Sequence, residues 1–261
     1  MPTIVLSQRY STDSSSLWRA ALDAGWDVER VRGFTVDPGL AARDPVVYGE
    51  TLFADALMEP LGIAMLEPTE DWLPALPDRY RLREVRLATL GEAISLAAPA
   101  FVKAPDEKWI PARVYSSGAA IEADPGLSRD MAVLVAEPVV FEVEFRLFVM
   151  DRVVRASSVY VRGGHIASVG GEWPSNPGEE AEALSFAGSL LADHSVSLPG
   201  AVVVDVGRIQ DRGWAVVEAN PAWASGLCGT DPRAVLPVIR RATVPRARLS
   251  EEDRRWVRGG A

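Results

Sequence analysis

Three oxygen-bearing side chains on two neighbouring apolar segments are the first candidates for chemistry. Asp205 interrupts the apolar run AVVVDVG, and Glu218 and Asn220 follow in WAVVEAN. Because side chains alternate along a strand, Glu218 and Asn220 share one face, and all three converge if Asp205 shares that face on a partner strand. Carboxylate and amide oxygens suit a hard ion such as Mg²⁺, whereas ordinary polar alternation on a solvent-facing strand edge is the alternative.

Lysine usage singles out one further position. The sequence has 27 basic side chains, and only Lys103 and Lys108 among them are lysines. Lys103 lies in the apolar strand AFVK, which Pro105 ends. An ammonium acts as a point charge that can touch several phosphate oxygens, unlike a planar guanidinium. We therefore expect Lys103 to face an anion; a lysine that only reaches water from an apolar strand is the alternative.

A third segment, AEPVVFEVEFRLFV, combines charge with strand alternation. Glu142, Glu144 and Arg146 fall on one face, and the intervening apolar residues fall on the other. Pro138 cannot donate to a ladder and marks a strand edge or break. Either a cross-strand salt bridge joins Glu144 and Arg146, or Arg146 faces an anion from the wall of a polar cleft.

The elements that must position these side chains form an α/β and α+β pattern. Strands alternate with helices over residues 1–85, which predicts a small parallel lobe that includes a strand at 63–66. A helical pattern covers about 79–97, and antiparallel strands follow, with hairpin turns at 150–153 and 210–213. No GxGxxG or GxxxxGK[ST] motif is present, so a dinucleotide fingerprint and a P-loop are unsupported.

Four motifs follow one another in an order that is typical of one known fold. FVKAP, AEPVVFEVEFR, VVVDVG and VVEANPAWASGLCG span roughly residues 99–230 and together resemble the ATP-grasp fold, most closely a compact clade named for two arginines and one lysine. The resemblance implies an ATP-grasp fold behind an amino-terminal Rossmann-like lobe. It implies the following division of the chain: an amino-terminal α/β lobe, 1–85; a small lobe with the lysine strand and adenine hinge, 86–140; a large lobe with the metal site, 141–245; and a carboxyl-terminal tail, 246–261.

The same resemblance assigns roles to individual residues. The implied nucleotide contacts are the phosphate-binding Lys103 and Lys108, the adenine hinge of Glu137, Pro138 and Val139, and Glu144 at the ribose hydroxyls. Arg146 would face phosphate or an acyl-phosphate and, with Lys103, would be catalytic. The second arginine stays open among Arg113, Arg155 and Arg208. The implied Mg²⁺ ligands are Asp205, Glu218 and Asn220.

The implied activity is that of an ATP- and Mg²⁺-dependent carboxylate–amine or peptide-forming ligase that acts through an acyl-phosphate. Phosphoryl transfer needs charge neutralisation and alignment rather than a protein nucleophile, so such a site requires no Ser–His–Asp set. A non-catalytic ATP-binding regulatory or partner-binding module is the alternative, and a metal hydrolase is disfavoured because histidines are few. His165 and His194 are expected to be structural or exposed, and Cys228 to be a small buried thiol.

Composition limits the partners and the compartment. The chain has 261 residues and a net charge of −9. Its single cysteine excludes a disulfide framework and fits a reducing compartment. The negative charge argues against nucleic acid, and no apolar run reaches a membrane span. We expect a cytoplasmic protein without a signal peptide that acts on a small-molecule or peptide carboxylate and an amine; a homodimer is compatible with the sequence. Loops at 7–16 and 170–178 are expected to set substrate specificity.

Overall fold

A computed structural model describes residues 1–105 and 109–260. The strands in these residues are β1 (Thr3–Ser7), β2 (Asp27–Val31), β3 (Pro45–Tyr48), β4 (Ile63–Met65), β5 (Val85–Thr89), β6 (Ala100–Lys103), β7 (Arg113–Tyr115), β8 (Ala132–Ala136), β9 (Phe141–Met150), β10 (Val153–Arg162), β11 (His165–Ile166), β12 (Ala201–Ile209), β13 (Gly213–Asn220) and β14 (Thr243–Pro245). The α-helices are α1 (Thr12–Asp23), α2 (Thr51–Leu61), α3 (Trp72–Ala75), α4 (Asp78–Arg81), α5 (Leu90–Ile94), α6 (Pro177–Ala192), α7 (Pro232–Ala242) and α8 (Glu251–Arg254). Three short 3-10 helices cover Pro38–Ala42, Gly118–Ala120 and Arg246–Arg248.

The first lobe contains a parallel sheet in the order β2-β1-β3. Helix α1 follows β1 and begins with a capping box, in which the Ser11 hydroxyl accepts from the Ser14 N–H and the Ser14 hydroxyl accepts from the Ser11 N–H. The strand expected at 63–66 forms as β4, but it does not join the parallel sheet. It pairs antiparallel with β14 from the far end of the chain instead. The prediction of one parallel sheet through this region was therefore wrong in its last strand.

The small lobe is a four-stranded antiparallel sheet in the order β5-β8-β6-β7. The helix expected over 79–97 is wrong at its centre, because residues 85–89 form β5 between the short helices α4 and α5. Val85 and Ala88 are buried three residues apart, which suits one face of a helix, whereas in a strand the two side chains point to opposite faces. The edge of β8 decides between helix and strand. Its backbone N–H and C=O groups would lack partners without β5, and a neighbouring strand supplies those partners.

The large lobe is an antiparallel sheet in the order β11-β10-β9-β12-β13. Both predicted hairpins are confirmed, with turns between β9 and β10 and between β12 and β13. The apolar face predicted for β9 is also confirmed, because Val143, Phe145 and Leu147 lie in the core together with residues of α6. The opposite face of β9 is therefore free to carry Glu144 and Arg146 toward a polar site.

The carboxyl-terminal segment packs against the other lobes. Helix α7 contacts α1, β9 and β12, and residues 256–258 run beside β4 through a bridge between Leu66 and Val257. Trp256 and Val257 are buried. The segment predicted as a tail is thus folded onto the body of the protein, while the predicted lobe boundaries stay a prediction. In the described residues, no helix has the length and apolar character needed to span a membrane.

Candidate active site

The hairpin of β12 and β13 brings together the three residues predicted to bind metal. Asp205 lies directly opposite Glu218, and Val203 lies opposite Asn220. The Asn220 side-chain amide donates to Glu218 Oε1 at 2.9 Å and to Asp205 Oδ2 at 3.4 Å. Asp205 is fully buried. The three oxygen-bearing groups therefore form one contiguous cluster, as alternation along the strands predicts.

Arg146 on the neighbouring strand β9 is paired with Asp205. Its Nε and NH2 donate to the two carboxylate oxygens at 3.0 and 2.7 Å, and its NH1 donates to the Gly226 carbonyl at 3.3 Å. Burial alone would lower the pKa of Arg146, but the charge and hydrogen bonds of Asp205 outweigh burial and raise this pKa. The Tyr160 ring lies 4.2 Å from the guanidinium carbon. Arg146 therefore stays charged and pairs with Asp205 rather than with Glu144.

Lys103 reaches the same cluster from the small lobe. Its Nζ lies 2.5 Å from Glu218 Oε2, and both side chains are partly buried. Burial alone would raise the pKa of Glu218, but the charge and hydrogen bond of Lys103, helped by Asn220, lower it to about 2. The carboxylate is thus ionised at neutral pH. The ion pair connects the β6 strand to the β12–β13 hairpin across the cleft between two lobes.

The donor set fits a hard divalent cation. Two carboxylates and one amide lie in contact, and no histidine or thiol belongs to the set. In the described residues, no group of three or more His, Cys, Asp and Glu side chains could hold a metal, so a site here must include Asn220. The amide oxygen and nitrogen of Asn220 can exchange places by rotation. Mg²⁺ could therefore be held by Asp205, Glu218 and Asn220.

The predicted adenine hinge links β8 to β9. The Glu137 N–H donates to the Glu84 carbonyl at 2.9 Å. The Glu137 carboxylate accepts from Arg212 at 2.6 and 3.1 Å, and this arginine lowers its pKa. Pro138 has no N–H, and among the described residues nothing accepts a hydrogen bond from the Val139 N–H. A groove lined by Glu137 and Pro138 runs along the hinge.

Glu144 and Arg83 lie between the hinge and the acidic cluster. Burial, with smaller effects from Asp205 and Glu218, raises the pKa of Glu144 to about 7. Burial lowers the pKa of Arg83 to about 10. Sequence reasoning missed Arg83 because it lies in the arginine-rich RYRLREVR, within the segment assigned to a helix. Arg83 lines the groove along the hinge.

Arg83 holds an irregularity in the β12–β13 hairpin. The pairing of β12 with β13 shifts between Asp205 and Val206, so Val217 is an extra, bulged residue. Arg83 donates to the Val216 carbonyl at 2.7 Å and to the Val217 carbonyl at 2.9 Å. These two hydrogen bonds fix the strand immediately before Glu218.

The three arginines left open by the sequence lie elsewhere. Arg113 is exposed on β7 with its guanidinium over the Tyr115 ring, and Arg155 is exposed on β10. Arg208 pairs with Glu142 and Glu179. In the described chain, none of the three is seen to contact the cluster around Asp205. Arg83 is therefore a stronger candidate for the second arginine.

The remaining candidates are one lysine, two histidines, the cysteine and the loop at 170–178. Lys108 lies outside the described residues. His165 and His194 are exposed, as expected. Cys228 is half-buried, burial raises its pKa, and its sulfur accepts from Arg146 at 3.7 Å. The loop at 170–178 reaches the site through Trp173, whose indole ring lies so close to the Gly229 backbone that a side chain there would clash with it.

Several solved structures share this fold. The "RimK domain protein ATP-grasp" of Sphaerobacter thermophilus is 17% identical, with 93% of this chain and 99% of that chain covered and a TM-score of 0.54. N5-carboxyaminoimidazole synthetase of Staphylococcus aureus is 12% identical, with 94% and 78% covered and a TM-score of 0.55. The corresponding synthase of Aspergillus clavatus, solved with ADP and 5-aminoimidazole ribonucleotide, is 14% identical, with 93% and 78% covered and a TM-score of 0.52.

These identities establish the fold alone. No curated protein sequence matches this chain. A family model for ATP-grasp domains, the second family of the clade named for two arginines and one lysine, matches residues 80–238. The matched range contains the hinge, Lys103, Arg146 and the three metal-ligand candidates. The chain belongs to this two-arginine, one-lysine clade of ATP-grasp domains.

Proposed function

We propose that the protein is an ATP- and Mg²⁺-dependent carboxylate–amine ligase that acts through an acyl-phosphate. One observation carries the proposal: the Lys103–Glu218 and Arg146–Asp205 ion pairs meet at Asn220 in the cleft between the lysine strand and the hairpin. Two cations and two acids in contact suit a site that exchanges internal partners for a triphosphate and a divalent cation.

Each side chain has a defined task in this proposal. The free Val139 N–H would bind the adenine edge, and Glu144 would bind the ribose hydroxyls. Lys103 and Arg146 would turn from their carboxylate partners to phosphate oxygens and neutralise charge as the phosphoryl group moves. Bound Mg²⁺ would supply further charge neutralisation at the phosphates.

The reaction has two balanced steps. An oxygen of the donor carboxylate attacks the γ-phosphorus, the bond to the bridging oxygen breaks, and ADP leaves. The amine nitrogen then attacks the carbonyl carbon of the acyl-phosphate, phosphate leaves, and the nitrogen loses a proton. Arg146 would stabilise the phosphate in both steps once it exchanges Asp205 for phosphate oxygens, and its contact with the Gly226 carbonyl would keep it in the site.

The proposal is tested by ADP release with hydroxylamine present, screened over a panel of carboxylic acids. Hydroxylamine traps an acyl-phosphate as a hydroxamate, so the donor can be found before the amine is known. We expect Mg²⁺-dependent ADP release that matches the hydroxamate formed. Nucleotide binding without ADP release for any acid would instead indicate the non-catalytic alternative.

The Lys103 ammonium provides a test at one residue. Lys103→Met should lower ADP release by about 100-fold, since it removes a charge aimed at the transferred group. Lys103→Arg keeps the charge and should retain more of the activity. Wild-type protein should melt about 5 °C higher with saturating Mg-ATP. Unchanged turnover in Lys103→Met, or an unchanged melt with nucleotide, would contradict the site assignment.

A further inference from the structure

A crevice lies at the carboxyl edge of the first sheet, where β1 and β3 end side by side. Strand β2 lies on one side of β1 and β3 on the other, so the connections after β1 and β3 diverge at this edge. Open α/β sheets bind ligands at such a point. Arg9, Tyr10 and Ser11 line the crevice from one side, and Tyr48 and Glu50 line it from the other. Its volume of about 330 Å³ is within the range of small-molecule sites.

The crevice opens beside the candidate active site. The Tyr48 hydroxyl donates to the Ser225 carbonyl at 3.1 Å, and Arg146 donates to the next carbonyl, that of Gly226. Asp13 of helix α1 accepts from the Leu227 N–H at 3.1 Å. The loop after the metal-binding strand is therefore fixed between the two regions. Adjacent carbonyls of this loop therefore accept hydrogen bonds from one residue of the crevice lining and from the arginine that is proposed to face the acyl-phosphate.

The charges at the crevice can recognise a molecule with both signs of charge. Arg9 and Glu50 pair with each other across it, and their side chains are 77% and 64% exposed. An exposed ion pair of this kind contributes little stability, so a ligand can replace either partner at low cost. At the start of α1, the Ser11–Ser14 capping box uses the N–H groups of Ser11 and Ser14.

We propose that this crevice binds the amine substrate as a free α-amino acid, whose carboxylate pairs with Arg9 and whose ammonium pairs with Glu50. The assignment rests on the proposed ligase function, since it identifies the amine substrate of that reaction. It also gives the first-lobe loop at 7–16 a specific task, because Tyr10, which is 77% exposed, lines the crevice beside Arg9. The family match begins only at residue 80, so it does not include this crevice.

Isothermal titration of the twenty standard amino acids into the full chain, with and without Mg-ADP, tests the assignment. We expect at least one amino acid to bind, and Arg9→Glu and Glu50→Gln each to weaken its Kd by about tenfold, since each removes a charge-assisted contact. Arg233→Glu is the matched control. Arg233 pairs with Asp23 at the opposite end of α1, and these side chains are 70% and 57% exposed, so this variant should bind within about twofold of wild type.

Two results would overturn the assignment: no amino acid binds, or Arg9→Glu binds as tightly as Arg233→Glu. Thermal melts of each variant separate lost binding from lost folding. Because titration needs no turnover, the two proposals fail separately. Amino-acid binding that depends on Arg9, without any hydroxylamine-trapped product, would refute the ligase and leave the crevice assignment standing. Trapped product with no amino-acid binding would refute the crevice assignment and leave the ligase proposal standing.

Discussion

At the scale of single residues, Glu144 carries a proton-dependent contribution to stability. Its pKa is about 7 in the folded chain, raised by burial and by the nearby acids, against an ordinary value of 4.5. Between these two values the folded protein holds a proton that the unfolded chain releases. The free energy of unfolding should therefore fall as pH rises from about 4.5 to about 7.

Glu144→Gln should remove this part of the pH dependence, because the amide cannot ionise. We expect the variant to be more stable than wild type at pH 7, by on the order of 1 kcal/mol after allowance for solvent screening. At pH 4.5, where wild-type Glu144 is protonated in the folded chain, the two proteins should have similar stabilities. Urea unfolding at several pH values measures the difference. Parallel pH profiles for the two proteins would instead show that Glu144 has the same pKa in the folded and the unfolded chain.

At the scale of elements, the bulge in β13 sets the position of Glu218, one of the candidate metal ligands. Its two consecutive carbonyls, of Val216 and Val217, both accept from Arg83. Arg83→Gln should leave these partly buried acceptors unsatisfied and lower stability by about 2 kcal/mol. The variant should also bind Mg-ADP more weakly, because the strand would be less well fixed before Glu218.

Arg129→Gln is the control, since Arg129 is an exposed arginine of the same lobe. It should change neither the urea midpoint nor the Kd for Mg-ADP. If Arg83→Gln behaved like this control in both measurements, the bulge would be held by the hairpin itself rather than by the arginine.

The sequence was sufficient for the parts of the site that follow from alternation. Spacing placed Glu218 and Asn220 on one face, and the apolar run around Asp205 indicated a buried partner strand, as found. Spacing could not reveal the bulge, because bulging depends on how two strands pair and not on either strand alone. Arg83 was missed for a related reason: the choice between helix and strand at residues 85–89 was decided by the distant edge of β8.

At the scale of the whole molecule, the carboxyl-terminal segment ties the first lobe to the site. Arg258 donates to Asp55 of α2 at 2.5 and 3.2 Å and to Glu67 at 2.8 Å. Its guanidinium carbon lies 5.6 Å from the centre of the Trp223 ring, three residues after Asn220. Arg258 also lines one cavity together with Lys103, Glu218 and Asn220 of the candidate site. Sequence reasoning assigned this segment to a tail because the partners that bury it lie about 190 residues earlier in the chain.

Arg258→Ala should therefore affect both stability and the site. It leaves Asp55 and Glu67 close together without their shared cation, which should cost about 2 kcal/mol and lower the melting temperature by about 5 °C. Affinity for Mg-ADP should also fall several-fold, because the wall around Trp223 loosens. Arg255→Ala is the control, since Arg255 is exposed on the same segment, with its guanidinium over the Trp256 ring. Thermal unfolding followed by circular dichroism, with and without Mg-ADP, distinguishes the two. Equal melts for the two variants would mean that the strand pairing of residues 256–258, and not the Arg258 ion pairs, holds the segment to the body of the protein.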